Sequence, residues 1–435
     1  MVTLTDMNVL YEAFRASMIG SSWKDEPQKF ELDYLSELTR LKNELESRTY
    51  KTSPGSEFTI NERGKIRYIH GSRMRDRVVR HALCDNVLTP ILSRYLINNN
   101  GASQKGKGIT YSRKQFEKDL HNYWLKYRTN DGYVVIVDFK KFYDNMRHDK
   151  IKEMIMPKLD EFSQWIFSEI VNSFAVDVSY MTEEEYANCL DEVFDSIEYH
   201  EQHPTGTLNG EKYMAKSVDI GDQVSQNIGV FFPTWIDNYC KIVLGLKWYG
   251  RYMDDIYFIV HTKKEAHRII AGIEERAEEI GLIVNPKKTQ INRLDRQFTY
   301  LQTRYWLTDT GKVVKMIKQK TVTRERQKLK AYKRLLDDGK MTQEDVENAY
   351  KSWMGNFVSI MSKQQIKNMK RLYKDLFGKD VRWKKQTSKS NSQTVQKSAE
   401  SLTGITTSHG RQSQKQISKT RNSSECRSTE PPWRT

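Results

Sequence analysis

The sequence predicts an α+β fold, and three observations carry this. Apolar residues recur at helical spacing among charges near the start of the chain, as in YLSELTRLKNELESR (34–48). β-Branched and aromatic residues crowd into short runs in the middle, GYVVIVD (132–138) and WYGRYMDDIYFIV (248–260). A Lys-rich stretch of helical character follows from about Val322 to Phe377.

Taken in order, Met7 to about Ser47 reads as two helices. KIRYIHG (65–71) opens a basic segment as a strand, a helix follows from about Arg75 to Leu88, and the segment ends in a glycine and lysine loop around Lys105-Gly-Lys-Gly108. GYVVIVD is a buried strand ending at Asp138, with a helix expected soon after. The stretch from Asp177 to Glu201 is acidic and interrupts the basic trend, so about 177–216 reads as an insertion. WYGRYMDDIYFIV has the pattern of a tight hairpin with Asp254 and Asp255 near its tip. KKEAHRIIAGIEERAEEIGL (263–282) is an amphipathic helix packed on a sheet and closed by Gly281. FTYLQTRYWLTDTGKVVKMI (298–317) is strand-like. The last part, 381–435, is dominated by Ser, Thr, Gln and Lys, and cannot bury enough apolar area to offset chain entropy, so it is expected to be a disordered basic tail. There is no internal repeat.

At 435 residues the chain can bury a large core divided among two or three domains or subdomains. Its 71 Lys and Arg against 56 Asp and Glu leave a formal charge of +15, which points to a polyanionic partner, nucleic acid before anionic membrane. Four cysteines, Cys84, Cys189, Cys240 and Cys426, lie far apart, which argues against a zinc site or a disulfide framework and for a reducing compartment. No apolar run approaches membrane-spanning length and no leader is evident, so a soluble, cytoplasmic protein without a membrane partner is expected.

Two adjacent carboxylates at a hairpin tip have two readings. Asp favours solvated turns through local hydrogen bonds, and a carboxylate pair also suits a divalent metal. A third carboxylate decides between them, and Asp138 is the candidate, because a buried apolar strand is a rigid arm that delivers a charge to a sheet edge. Three carboxylates on neighbouring strands can hold two Mg²⁺ ions about 3.5 to 4 Å apart, an arrangement that stabilises the attacking and leaving oxygens of phosphoryl transfer. Alone, Asp138 also fits an ordinary strand end or helix cap.

With these stretches in order the chain resembles a reverse transcriptase over roughly Lys65 to Lys370. DFKKFYD (138–144) is similar to the family's first palm motif, IGDQVSQ (220–226) to its second, YMDD (252–255) to its third, and GLIVNPKKT (281–289) to its fourth. The resemblance implies a right-hand polymerase fold: N-terminal helices and fingers over 1–130, an antiparallel-sheet palm over 131–320, and a helical thumb over 321–380. It also implies an RNA-directed DNA polymerase in which Asp138, Asp254 and Asp255 bind two Mg²⁺ ions, with Mn²⁺ a possible substitute. Tyr143 would be the bulky group beneath the incoming sugar, where a ribose 2′-hydroxyl would collide with it; plain core packing is the alternative. Lys288 would protonate the departing pyrophosphate. Lys65, Arg67 and Arg77 would hold the triphosphate or template, as forked guanidinium groups suit phosphate. Ile220, Gly221, Ser225 and Gln226 would line the nucleotide site, and Lys105 and Lys107 would touch nucleic acid; basic surface decoration is the alternative for these lysines. The partners implied are template RNA, a primer with its growing cDNA, and deoxynucleoside triphosphates.

Two departures matter. Many reverse transcriptases carry Gln before the glycine of the second motif, whereas this chain has Ile220, which cannot hydrogen-bond the incoming sugar; loss of such a contact weakens discrimination. The pattern Ile-Gly-x-x-x-Ser-Gln is similar to that of diversity-generating retroelements, which copy an RNA with errors at adenines and work with a small accessory RNA-binding protein. Retron, group II intron-like and abortive-infection or other defence enzymes of bacteria and phages share the same palm. The second departure is Leu301-Gln302, where the family's primer-grip turn has Leu-Gly. No zinc endonuclease pattern is evident, nor a region after the thumb large enough for a ribonuclease H domain. An RNA-directed RNA polymerase and a non-catalytic RNA-binding scaffold are the rival readings; Tyr143 speaks against the first and the three aspartates against the second.

Overall fold

A computed structural model of the protein describes residues 3–62, 65–203 and 208–381. The chain divides into two units, Met1–Lys318 and Gln319–Thr435.

The first unit begins with helices Met7–Met18, Asp25–Leu32 and Tyr34–Glu46, three rather than the expected two. The break falls at Asp33, whose φ of −130° leaves the helical region. Leu10, Phe14, Leu38, Leu41 and Leu45 are buried, as their spacing requires. The chain then runs through an antiparallel hairpin, β1 (Ser56–Glu62) and β2 (Lys65–Gly71), into helix Met74–Leu83, which packs on the first helix. This helix continues through a wider turn, Cys84–Leu88, and Thr89–Leu92.

The sheet that positions the site is built from β3 (Tyr133–Val137), β6 (Tyr249–Tyr252), β7 (Asp255–Val260) and β8 (Gln290–Arg293), in the order β6-β7-β3-β8 and antiparallel throughout. Between β3 and β6 in sequence lie the short β4 (Val176–Asp177) and β5 (Tyr213–Met214). Both faces of the sheet are covered. Val135, Val137, Ile256, Phe258 and Val260 join the main core, together with Ala266, Ile269 and Ile273 of helix Lys263–Glu278. Val134, Ile136, Tyr257 and Ile259 point the other way, onto Phe116, Leu120 and Tyr123 of helix Ile109–Tyr127. A strand buried on both faces reads as a continuous apolar run, which is why YVVIV shows no alternation. Gly281 ends the region around helix Lys263–Glu278 at φ +79°. Its N–H bonds to the Glu278 carbonyl, and the Leu282 N–H bonds to that of Ala277, the paired bonds of a glycine C-cap.

The acidic insertion is a small lobe. β4 and β5 pair at its neck, Val176 opposite Met214, and helices Glu183–Asp191 and Ser196–Gln202 enclose Val178, Phe194, Tyr199 and Met214. The buried Lys216 donates its ammonium to the carbonyls of Cys189, Leu190 and Glu192, at 3.0, 3.1 and 2.7 Å. That places a cation at a helix C-terminus, where the exposed carbonyls favour one.

A separate three-stranded sheet, in the order β11-β10-β9, follows: β9 (Phe298–Tyr300), β10 (Thr303–Leu307) and β11 (Val313–Ile317). Its first turn is Leu301-Gln302, with φ values of 41° and 65°. A two-residue hairpin loop with both residues at positive φ is the type I′ geometry that favours glycine, so the departure at Gln302 places a bulkier residue at a left-handed position.

The second unit is a bundle of helices Gln319–Asp337, Gln343–Phe357 and Lys363–Phe377. Thr342 with Asp345 and Ser362 with Gln365 form reciprocal caps at two starts, and Gly378 closes the last helix at φ +70°. Tyr350 and Tyr373 stack inside it, ring centres 4.5 Å apart. The tail from residue 382 on lies outside the described residues. Among those described, no helix is long and apolar enough to cross a membrane.

Candidate active site

Strand register gathers the carboxylates. Val137 pairs with Ile256, so the residues that flank this pair at one end of the sheet are Asp138 and Asp255. Tyr252 pairs with Asp255 across a two-residue turn, Met253-Asp254. Met253 has φ +57°, the sign that the first position of a tight hairpin turn requires. Burial pushes the Asp254 carboxyl above its usual range, and the charge of Asp138 adds to this; Lys288 and Arg67 oppose it. Asp255 is pushed up to about 7 by burial and then by Asp254 and Asp138, against Lys288 and Lys318. Like charges crowded in a poorly solvated place leave the set short of positive charge.

The cation nearest at hand comes from the segment after Gly281. Its backbone lies along Asp138: the Asn285 N–H donates to the Asp138 carbonyl at 2.7 Å, the Lys140 N–H donates to that of Ile283 at 2.8 Å, and Phe139 bridges Val284. A turn at Asn285 then delivers Lys288, whose ammonium lies 3.0 Å from the Asp138 carboxylate. The Lys288 side chain is 57% exposed, so this pair is easily exchanged and worth at most about 1 kcal/mol.

Tyr143 lies in the turn after Asp138, its carbonyl accepting from the Val218 N–H at 3.1 Å. Burial raises its hydroxyl to about 12, the Asp254 charge adds to this, and Arg67 of β2 opposes it. The ring tip rests on Gly229 of helix Gln223–Phe231. That helix is started by Asp222, which accepts from the N–H groups of Val224 and Ser225 and also takes the Arg80 guanidinium at 2.7 Å. Gly221 precedes it at φ +96°, a conformation open to glycine and strained for Ile or Gln, so the chain can turn sharply between Ile220 and the helix. Asp219 is tied to His70 of β2 at 2.9 Å.

The family described as reverse transcriptase (RNA-dependent DNA polymerase) matches residues 60–305, more than half of the chain. The protein belongs to the reverse transcriptase family. No curated protein matches it. As a reverse transcriptase it is an RNA-directed DNA polymerase, a nucleotidyltransferase; its family implies the right-hand fold, a divalent metal, an RNA template, a primer and deoxynucleoside triphosphates.

Within this reverse transcriptase the structure brings together Asp138, Asp254, Asp255, Lys288, Tyr143 and Arg67. It places several other sequence candidates elsewhere. Arg77 turns to the N-terminal helices, its guanidinium 3.3 Å from the Ser21 hydroxyl and in the field of Glu26, because its position on helix Met74–Leu83 faces that bundle. Lys107 donates its ammonium to the carbonyls of Asn98 and Asn100, at 2.9 and 3.1 Å, so it secures its own loop; Lys105 is exposed. Ser225 is buried, its hydroxyl without a hydrogen-bond partner, while Gln226 is exposed and Ile220 half-buried. The Lys65 side chain lies outside the described residues.

Two contributions had no signal in the sequence. Lys318, at the end of β11, acts on Asp255 electrostatically. Arg251, wholly buried, pairs with the equally buried Asp237 at 2.7 Å and donates to the carbonyls of Met253 at 3.0 Å and Val230 at 2.8 Å, fixing the turn that carries Asp254 to helix Gln223–Phe231.

Among the described residues no group of three or more Asp, Glu, His or Cys side chains is arranged to hold a metal ion by itself. The donor set still fits Mg²⁺, which is held by one or two carboxylates and completes its shell with water and substrate phosphate.

Proposed function

We propose that the protein makes cDNA on an RNA template by two-metal nucleotidyl transfer. The observation that carries this reading is the register of β3, β6 and β7, which sets Asp138, Asp254 and Asp255 at one sheet end, where the direct ion pair from Lys288 to Asp138 is exposed and easily exchanged. Those three side chains would hold two Mg²⁺ ions, or Mn²⁺ in their place. When bound, the ions supply charge stabilisation to the attacking 3′-oxygen and the departing pyrophosphate.

The remaining roles fall to the chain. The primer 3′-hydroxyl gives its proton to water and attacks the α-phosphorus as the bond to pyrophosphate breaks, and Lys288, released from Asp138, gives its proton to the pyrophosphate. Arg67 faces the triphosphate with a forked guanidinium. Tyr143 closes the space beneath the sugar, and Ile220 offers it no hydrogen bond. That last point supports an error-prone polymerase of the diversity-generating type, working in the cytoplasm of a bacterium or a phage-infected cell with a small RNA-binding protein. Fingers over 1–130, palm over 131–320 and thumb over 321–380 complete the reading.

The test is sequencing of DNA made by purified protein on a primed RNA with Mg²⁺ and all four deoxynucleotides, beside Asp254→Ala. Template-length DNA is expected, lost by a factor of about 100 or more in the variant. Errors concentrated at template adenines are expected. Faithful DNA would move the assignment to a retron or defence enzyme, extension with ribonucleotides alone to an RNA polymerase, and no product at all to a scaffold.

A further inference from the structure

We propose that Gly229 is a specificity-determining position: the missing side chain there lets the tip of Tyr143 recede from the incoming sugar, and so sets how strongly the enzyme rejects ribonucleotides. This rests on the reading of Tyr143 as the group beneath the sugar.

Gly229 lies inside helix Gln223–Phe231 and is buried. Glycine in a helix interior costs about 1 kcal/mol relative to alanine, so its presence there calls for a local reason. A methyl group at 229 would lie 3.0 Å from the Tyr143 hydroxyl oxygen, 3.2 Å from the Met253 sulfur and 3.3 Å from the Tyr143 ring carbon that bears the hydroxyl. All three atoms belong to the sugar-side tyrosine and the turn that carries Asp254. None belongs to the backbone, so the contact is with parts that can move.

What can move is limited. The helix is held at its start by Asp222 and in its middle by Arg251, which grips the Val230 carbonyl at 2.8 Å. The backbone of Tyr143 is held by the Val218 N–H, and Phe142 packs edge-on against its ring, 5.5 Å between centres. With both backbones fixed, a methyl at 229 displaces the ring tip off the helix by a few tenths of an ångström. Met253, the other contact, precedes Asp254 in its turn, and the charges of Asp254 and Arg67 act on the Tyr143 hydroxyl, so the tip stands beside the carboxylates. Met253 yields more easily, since a thioether chain has several rotatable bonds.

The experiment measures single-nucleotide incorporation of one deoxynucleotide and its ribonucleotide by wild type, Gly229→Ala, Tyr143→Phe, Tyr143→Ala and the Gly229→Ala/Tyr143→Phe double variant. Gly229→Ala is expected to raise the ratio of the two kcat/KM values about threefold to tenfold, chiefly through KM of the ribonucleotide; an added methylene in direct contact with substrate brings roughly 10- to 200-fold. In the Tyr143→Phe background, where the 3.0 Å contact is gone, the increase is expected to shrink, the mark of residues acting through one another. The midpoint of thermal unfolding of Gly229→Ala is expected at or above that of wild type.

An unchanged or lowered ratio in Gly229→Ala, with Tyr143→Ala collapsing it, overturns the proposal and leaves the role of Tyr143 intact. A ratio untouched by Tyr143→Ala removes that role and the proposal together. A Gly229→Ala protein that does not fold also overturns it, because the ring then has no room to give.

Discussion

The turn at Met253-Asp254 and the turn at Leu301-Gln302 both join antiparallel strands through two residues, and both hold non-glycine residues at positive φ. In each, an arginine grips the carbonyl of the first turn residue. Arg251 reaches that of Met253 at 3.0 Å, and Arg113 reaches that of Leu301 at 3.1 Å through Nε and 2.5 Å through Nη2. A left-handed conformation costs an L-residue roughly 1–2 kcal/mol, and a buried carbonyl with a fixed donor helps to hold it. The supports differ in depth. Arg251 is wholly buried, shares Asp237 with the Tyr249 hydroxyl, and ties in a second element through Val230. Arg113 is half-buried on helix Ile109–Tyr127. The turn that carries charged residues has the deeper anchor, and the uncharged turn tolerates a looser one.

Arg251→Met should break this comparison most. It leaves Asp237 buried without its cation, and a loss of about 3–5 kcal/mol is expected in urea unfolding. Replacing both partners, Arg251→Met with Asp237→Leu, should recover most of that stability; polymerase activity should stay low, because the Met253 carbonyl still lacks its donor. Next in size is the metal. Mg²⁺ at 100 times its dissociation constant should stabilise wild type by about 2.7 kcal/mol and Asp254→Asn far less, read from thermal unfolding with and without chelator. Equal stabilisation of the two proteins would place the ion elsewhere. Arg113→Ala should cost about 1–3 kcal/mol, below the effect of Arg251→Met. The smallest effect distinguishes the turns by sign. Gln302 is exposed and gains little from its side chain, so Gln302→Gly should stabilise by about 0.5 kcal/mol, strain relief less the added freedom of the unfolded chain. Met253→Gly should destabilise, because Met253 packs against the core.

The pattern of bulky β-formers made the hairpin and Asp138 legible, since an apolar strand and a two-residue turn leave few places for the carboxylates to go. Helices were legible in outline, but Asp33 carried no Pro or Gly to mark the break that yields three helices from two. The resemblance implies a triphosphate or template contact for Arg77, while its phase on helix Met74–Leu83, which no motif spells out, turns it to Ser21. Arg251 and Asp237 lie far enough apart in sequence that nothing local announces a buried ion pair; a charged residue beside YMDD reads as surface. Gly229 looks like a weak helix residue until Tyr143, far away in the chain, is set against it. Lys318 reaches Asp255 only through the fold of β9 to β11, which no spacing rule foretells.

The acidic lobe enters and leaves the first unit through one paired neck, Val176 opposite Met214. A closed neck makes it an exchangeable module: a segment of another length or charge can be grafted between those two points without shifting the strands that carry the aspartates. The graft must keep the ties that fasten the lobe beside the site: the Phe194 backbone that bonds Asn145, the Ser196 hydroxyl that meets Asp144, and the ion pairs of Asp195 with Lys141 and of Asp191 with Arg147. The lobe is thus a place where length and surface charge can change, provided these ties remain, while the chemistry beside it stays the same.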